Sequence, residues 1–349
     1  MSHFERALAT IDLGAIERNC ARLPGPLCAV VKADAYGHGM GPVAQAALRG
    51  GASWLAVATA PEAVGLREHG LAMPILVMGA LTPDELRTAD AAEADVVAWT
   101  EEVAQAARRV HVKLDTGMGR LGTKDREEAL RLAARPNVVG LMTHFATADE
   151  DGDDLFVHKL QAFADFAEAV GRDDLVVHAA NSAAALREPR SHFDMVRCGI
   201  AVYGMDPFHE DPAAHGLEPA LTLRSWVAAV RRFEPGDSAG YGRRWTAREP
   251  TWVATVPIGY GDGWRRALTN DCDVLIGGLR HPLVGTVSMD NVTVALGPDT
   301  DVRVGDEVVL IGAQRGERIL AEELARRLST INYEITCGLS ARVRREHVR

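Results

Sequence analysis

The sequence predicts an α/β chain, a (β/α)8 barrel of the TIM type followed by a mainly β C-terminal domain, on three observations. Eight short apolar runs alternate with stretches rich in Ala, Leu and Arg over the first two-thirds of the 349 residues. Those runs lack polar alternation, as strands covered on both faces do. Near residues 217–222 the texture changes, and later segments carry more turn residues and less helix.

An N-terminal strand over 6–11 and a helix precede the first of the eight runs. The runs fall at 28–31, 54–58, 75–78, 96–99, 110–114, 138–142, 176–178 and 195–198. Helices are expected between them, at 61–69, 83–91, 125–134 and 155–170 among others. An open doubly wound sheet is the alternative. No G-x-G-x-x-G turn follows an early strand, which counts against its dinucleotide-binding form. The second domain is read from strands at 223–233, 252–257, 274–276, 282–287, 292–295 and 307–311, with one helix at 320–328. The expected division is 1–222 and 223–349, with the N-terminal strand a candidate to join the second domain.

A formal net charge of −10 disfavours nucleic acid and anionic membrane surfaces as partners. No apolar stretch is long enough to span a bilayer, and no signal-peptide pattern is read. The five cysteines are odd in number and scattered, fitting neither a zinc pattern nor a disulfide framework. A cytoplasmic protein without a metal is the expectation.

In such a barrel the working residues sit at the C-terminal ends of strands. Lys32 and Tyr36 follow the first run, Arg120 the fifth, His144 the sixth, Asn181 and Ser182 the seventh, and Arg197 the eighth. A lysine desolvated at a strand end loses hydration, its pKa falls, and the neutral amine condenses with aldehydes. Singly, each residue has a plainer explanation: a snorkelling lysine, a core histidine, a rim ion pair for Arg197, a helix N-cap for Asn181 and Ser182. Their convergence on one rim favours chemistry. Gly199 lets backbone amides at Gly199 and Ile200 approach an anion, and Ser182 adds a hydroxyl. A reactive lysine beside a phosphate cradle suggests pyridoxal phosphate, with Arg197 near its pyridine nitrogen.

Longer motifs carry a resemblance. They are Ala29-Val-Val-Lys-Ala-Asp-Ala-Tyr-Gly-His-Gly39, Lys113-Leu-Asp-Thr-Gly-Met-Gly-Arg-Leu-Gly122, Thr143-His-Phe-Ala-Thr-Ala-Asp149 and His178-Ala-Ala-Asn-Ser-Ala183. Arg197-Cys-Gly-Ile200, Gly240-Tyr-Gly242, Pro257-Ile-Gly-Tyr-Gly-Asp262, Ser288-Met-Asp290 and Ile331-Asn-Tyr-Glu334 follow in order. Together they span almost the whole chain, which resembles the alanine racemases, fold-type III pyridoxal phosphate enzymes.

The resemblance implies interconversion of L- and D-alanine by two bases, supplying D-alanine for peptidoglycan. Lys32 would bind pyridoxal 5'-phosphate and act on the D-enantiomer. Tyr241 would act on the L-enantiomer from the partner subunit of a homodimer, supported by His144. Arg197 would bond the pyridine nitrogen and leave it unprotonated, because arginine does not deprotonate. Arg120 would engage the cofactor's phenolic oxygen and the substrate carboxylate, and Met289 would offer its backbone N–H. Lys113, often carbamylated in such enzymes, would steady Arg120; pairing with Asp115 or another carboxylate is its alternative. Tyr36 and Tyr333 would bond the phosphate, Tyr260 would narrow the entrance, and Asp290 would lend support there. Ser288 and Asn291 depart from the family's usual cysteine and glutamine. A broad-specificity racemase, a fold-type III decarboxylase and a non-catalytic cofactor carrier are the alternative readings.

Overall fold

The structure, a computed structural model, describes residues 5–150, 152 and 154–349. Two compact units divide the chain, one comprising Gly14–Glu218 and the other the N-terminal strand with Pro219–Arg349. The division falls four residues ahead of 222.

Strand β1 (Leu8–Asp12) belongs to the second unit. The barrel unit holds eight parallel strands: β2 (Leu27–Val30), β3 (Ala52–Val57), β4 (Ile75–Val77), β5 (Asp95–Ala98), β6 (Val110–Lys113), β7 (Val138–Met142), β8 (Val176–His178) and β9 (Val196–Cys198). Their order is β8-β7-β6-β5-β4-β3-β2-β9. The ring nearly closes: Asp194 N donates to Val177 O at 2.9 Å and Arg197 N to Ala180 O at 2.9 Å. Strand positions are mostly apolar and buried, as interior and helix-covered faces of a barrel require.

Helices begin where the sequence supplies caps. Thr59 and Thr82 each form a capping box with a glutamate three residues on, ahead of Ala60–Glu68 and Pro83–Ala91. Glu62 does more than cap. Its carboxylate accepts from Ala58 N at 2.8 Å and Thr59 N at 3.1 Å, and also from Ala33 N at 2.6 Å. That last bond holds an unusual turn. Gly37 and Gly39 follow β2 in the sequence, but Ala33, Asp34, Ala35 and Tyr36 already have φ of 52–55°. They make one turn of left-handed helix, a conformation costing roughly 1–2 kcal/mol per L-residue.

In the second unit, β10 (Leu221–Trp226), β11 (Ala229–Phe233), the two-stranded β12 (Ser238–Ala239) and β13 (Trp245–Thr246), and β14 (Thr251–Val256) come first. Strands β15 (Asp273–Ile276), β16 (Leu279–Val284), β17 (Val292–Gly297), β18 (Glu307–Gln314), β19 (Glu317–Ile319) and β20 (Arg344–Val348) follow. The main sheet runs β11-β14-β17-β16-β15-β18-β10-β1-β20, with β19 on β18. The continuous run at 223–233 is therefore two strands. Val227 N bonds Asp306 O and Ala228 N bonds Thr255 O, so the backbone changes partners between them. Helices Ala321–Arg327 and Asn332–Cys337 complete the unit, the second of them unsignalled in the sequence.

Candidate active site

Register sets the rim. Strand β2 pairs with β9 as Cys28↔Arg197 and Ala29↔Cys198, so the segments leaving them, Lys32–Tyr36 and Gly199–Ile200, emerge side by side. Tyr36 stacks on Tyr203 with centroids 4.8 Å apart, and the Tyr203 hydroxyl donates to Val30 O at 2.8 Å. The Tyr36 hydroxyl lies over Gly199 so closely that a Cβ there would overlap it. Ser182 Oγ accepts from the amides of Gly199 at 3.1 Å and Ala201 at 3.4 Å. Asn181 is the N-cap of Ser182–Arg187, accepting from Ala184 N at 3.0 Å. Tyr36, Ser182, Gly199 and Ile200 thus form one buried patch.

A second group gathers around His144. The charges of Arg197, Lys113, Arg120 and Lys32 all act on this ring, and with burial as the largest cause they hold its pKa well below the usual value. His144 is therefore neutral. Its Nδ1 lies 3.3 Å from the donor Arg197 Nη2, which leaves the ring proton on Nε2. Thr143 Oγ1 lies 2.8 Å from Thr116 Oγ1 and donates to Leu114 O at 2.9 Å, tying the loops after β6 and β7 together.

Arg197 forms no rim ion pair among the described residues. It is buried, donating through Nη2 to Thr143 O at 2.8 Å and Ala179 O at 3.0 Å, and through Nη1 to His178 Nδ1 at 2.8 Å. Burial lowers its pKa to about 10. The adjacent thiols provide no counter-charge, since burial pushes Cys28 up to about 12 and Cys198 further. Lys113 is likewise buried without an ion pair to Asp115. That carboxylate is occupied by the amides of Gly117 and Gly119. Burial, then Arg197 and Arg120, lower the Lys113 pKa to about 8. Arg120 is exposed in the loop between β6 and the helix Arg126–Ala133.

The remaining candidates lie in the second unit. Tyr241 opens a short 3-10 turn and is 74% exposed; its carbonyl accepts from Thr286 Oγ1 at 2.6 Å, and its phenol has no hydrogen bond among the described residues. Tyr260 and Met289 are exposed on interlocked loops, with Tyr260 N bonded to Ser288 O at 3.0 Å and Gly261 N to Met289 O at 2.9 Å. Asp290 accepts from Arg342 Nη2 at 2.7 Å, and Arg342 also pairs with buried Asp262 at 3.3 Å. Tyr333 is half-buried in Asn332–Cys337.

Sequence reasoning missed three residues that touch this centre through Arg197. His178, His111 and Asp95 continue from it in a chain of hydrogen bonds. The signals were polar residues in or beside otherwise apolar runs and, for His178, its place at the head of one of the quoted motifs.

Comparison with known proteins gives one consistent result. Residues 11–207 match the family model for the alanine racemase N-terminal domain, and 220–347 match that for the C-terminal domain. An alanine racemase of Symbiobacterium thermophilum is 44% identical, with 97% of this chain and 96% of that protein covered. Alanine racemase 1 of Bacillus subtilis is 42% identical over 97% of this chain and 92% of its own. Among solved structures, alanine racemase from Bacillus anthracis with bound L-Ala-P superimposes with a TM-score of 0.91 at 37% identity, covering 100% of this chain and 96% of that one. The Streptomyces coelicolor enzyme gives 0.92 at 38% identity, with 98% of each chain covered.

Proposed function

Since this chain belongs to the alanine racemase family of isomerases, we propose that it interconverts L- and D-alanine with pyridoxal 5'-phosphate, using Lys32 and Tyr241 as two bases. The observation that carries this reading is the rim itself, where Lys32, Lys113, Arg120 and Arg197 act on one neutral histidine.

The residues fit that cofactor. A permanent donor without a carboxylate, Arg197, suits a ring nitrogen that stays unprotonated. The side-chain-free Gly199, under the Tyr36 hydroxyl and beside Ser182, suits a phosphate, which Tyr333 would also bond. The bound cofactor supplies an electron sink for the α-carbanion, which free alanine lacks.

The chain's own groups do the rest. Lys32 Nζ holds the aldehyde at rest and exchanges a proton on one face of the substrate; Tyr241 Oη does so on the other face. A phenol of pKa about 10 is a poor base at neutral pH. The His144 Nε2–H, left free by the Arg197 contact, is a donor suited to a phenolate oxygen. The exposed, unbonded Tyr241 suits delivery to a second copy of the chain in a homodimer. Arg120 and the Met289 amide orient the carboxylate, Tyr260 narrows the way in, and Asp290 braces that loop through Arg342. Neutral amine at Lys113 is the form that takes up carbon dioxide, and the resulting carbamate anion would steady Arg120. The physiological product is D-alanine for peptidoglycan, made in the cytoplasm; no described helix is long and apolar enough to cross a membrane.

Chiral chromatography of L- and D-alanine tests this. Wild type drives either enantiomer to an even mixture, Lys32→Ala loses turnover in both directions, and Tyr241→Phe retains cofactor while also losing turnover in both directions, because each direction uses both proton transfers. Unchanged turnover in Tyr241→Phe would remove it as a base.

A further inference from the structure

Arg197 is one end of a line of hydrogen bonds that crosses the barrel interior. Its Nη1 lies 2.8 Å from His178 Nδ1; His178 Nε2 lies 2.7 Å from His111 Nδ1; His111 Nε2 lies 3.1 Å from Asp95 Oδ2. Arg109 closes the far end, donating to Asp95 from Nε at 2.7 Å and Nη2 at 3.3 Å. Asp95 is the first residue of β5 and His178 the last of β8, so the line runs from the bottom of the barrel to its working rim. At the bottom, Asp95 and Arg109 line a surface cleft with Arg67, Asp90, Glu93 and Arg108. Barrel interiors are dominated by branched apolar side chains, which makes two histidines and a carboxylate here conspicuous. Space is kept for them: a Cβ on Gly140 would overlap the His111 ring.

Donor logic gives every bond a direction. A guanidinium only donates, so His178 Nδ1 must accept and its proton sits on Nε2. That proton points at His111 Nδ1, which must therefore accept and carry its own proton on Nε2, facing the carboxylate. With both rings neutral the whole line is satisfied in one sense only. Burial, followed by Arg197 and His111, holds the His178 pKa well below the usual value. At Asp95, the His111 and Arg109 hydrogen bonds outweigh burial and keep it ionised.

We propose that Asp95, His111 and His178 are positioning residues for the racemisation, a relay in which the carboxylate locks two imidazole tautomers and so holds Arg197 as a donor toward the cofactor's ring nitrogen. This rests on the reading that Arg197 faces that nitrogen. Amide in place of carboxylate would unlock the line, because an asparagine can donate to His111 Nε2. Both rings could then reverse, leaving His178 with a proton on Nδ1 aimed at the guanidinium.

The test compares the holoenzyme with Asp95→Asn, His111→Leu, His111→Gln and Arg109→Gln. Ring-nitrogen NMR reads the tautomers, absorbance reads the bound cofactor, and kcat and KM for L-alanine are measured separately. Wild type should show the proton on Nε2 in both His111 and His178. Asp95→Asn should show a Nδ1 proton on one of these rings, a shifted cofactor band, and kcat lowered about tenfold with KM within about twofold. His111→Leu, acceptable to a purely structural barrel core, should shift the band likewise. A glutamine spans the same donor–acceptor distance as the ring, so His111→Gln should restore both readouts. Arg109→Gln breaks the ion pair but not the line, and should leave the band in place. Unchanged bands and kcat in folded Asp95→Asn and His111→Leu, or a Nδ1 proton on wild-type His178, would overturn the relay. Failure of the cofactor reading appears separately, as a wild-type protein without a visible band; the ring tautomers then still decide whether the line is directed.

Discussion

Lys113 and Arg197 are both buried cations, and their chemistry separates them. Arginine keeps its proton at a pKa of about 10, whereas Lys113, near 8, gives up its own within reach of ordinary buffers. The folded pKa of Lys113 lies below the unfolded value of about 10.4. Between these values the unfolded chain binds more protons than the native one, so stability rises with pH from about 8 to about 10. Below pH 8 the burial penalty is fully present. In buffer freed of carbon dioxide, Lys113→Met should therefore be more stable than wild type at pH 7, by on the order of 3 kcal/mol. It should also lose that alkaline rise, as read by urea unfolding across pH. The position of the candidate residues at strand ends was legible in the sequence, because the apolar runs of a parallel barrel all end at one rim. The roles of His111 and His178 were not, because they depend on partners 16 to 67 residues away. Nothing local distinguishes such a histidine from one satisfied in a core.

The element that aims Lys32 is the left-handed turn after β2. Its glycines were visible, but the positive φ values fall on Ala33 through Tyr36, residue types that avoid them. What imposes the turn is tertiary. Glu62 holds Ala33 N, the Asp34 carboxylate accepts from Met40 N at 2.8 Å, and Tyr36 stacks on Tyr203. Strain of this kind, held beside the lysine proposed to react, fits a place where function needs a fixed direction. Ala33 is exposed, so Ala33→Gly should relieve part of the strain without losing packing. The expected gain is about 0.5–1 kcal/mol, after the extra entropy glycine forfeits on folding, with racemisation retained. Denaturant midpoints check it. The split of residues 223–233 into two strands was illegible for a related reason. Hydrophobicity is continuous across Val227 and Ala228, and only their hydrogen-bond partners differ.

For the whole molecule, the proposed sharing of the site between two copies makes a sharp prediction. Lys32→Ala and Tyr241→Phe homodimers, each impaired, should regain activity when unfolded and refolded together. Random pairing makes half the dimers mixed, and each mixed dimer has one intact site of two. Activity should thus approach roughly a quarter of wild type; no recovery would mean that both bases come from one chain. The two-domain architecture was legible from texture alone, but the place of β1 was left open, because a single strand carries no mark of its sheet. It sits between β10 and β20, antiparallel to one and parallel to the other. This placement bears on how the ribosome releases the chain. At roughly 5–20 residues per second, β1 leaves the exit tunnel on the order of ten to forty seconds before β10 is made. Its unsatisfied edges must be kept from neighbouring nascent chains while the barrel between them condenses. The last strand to be synthesised is the one that seals the first.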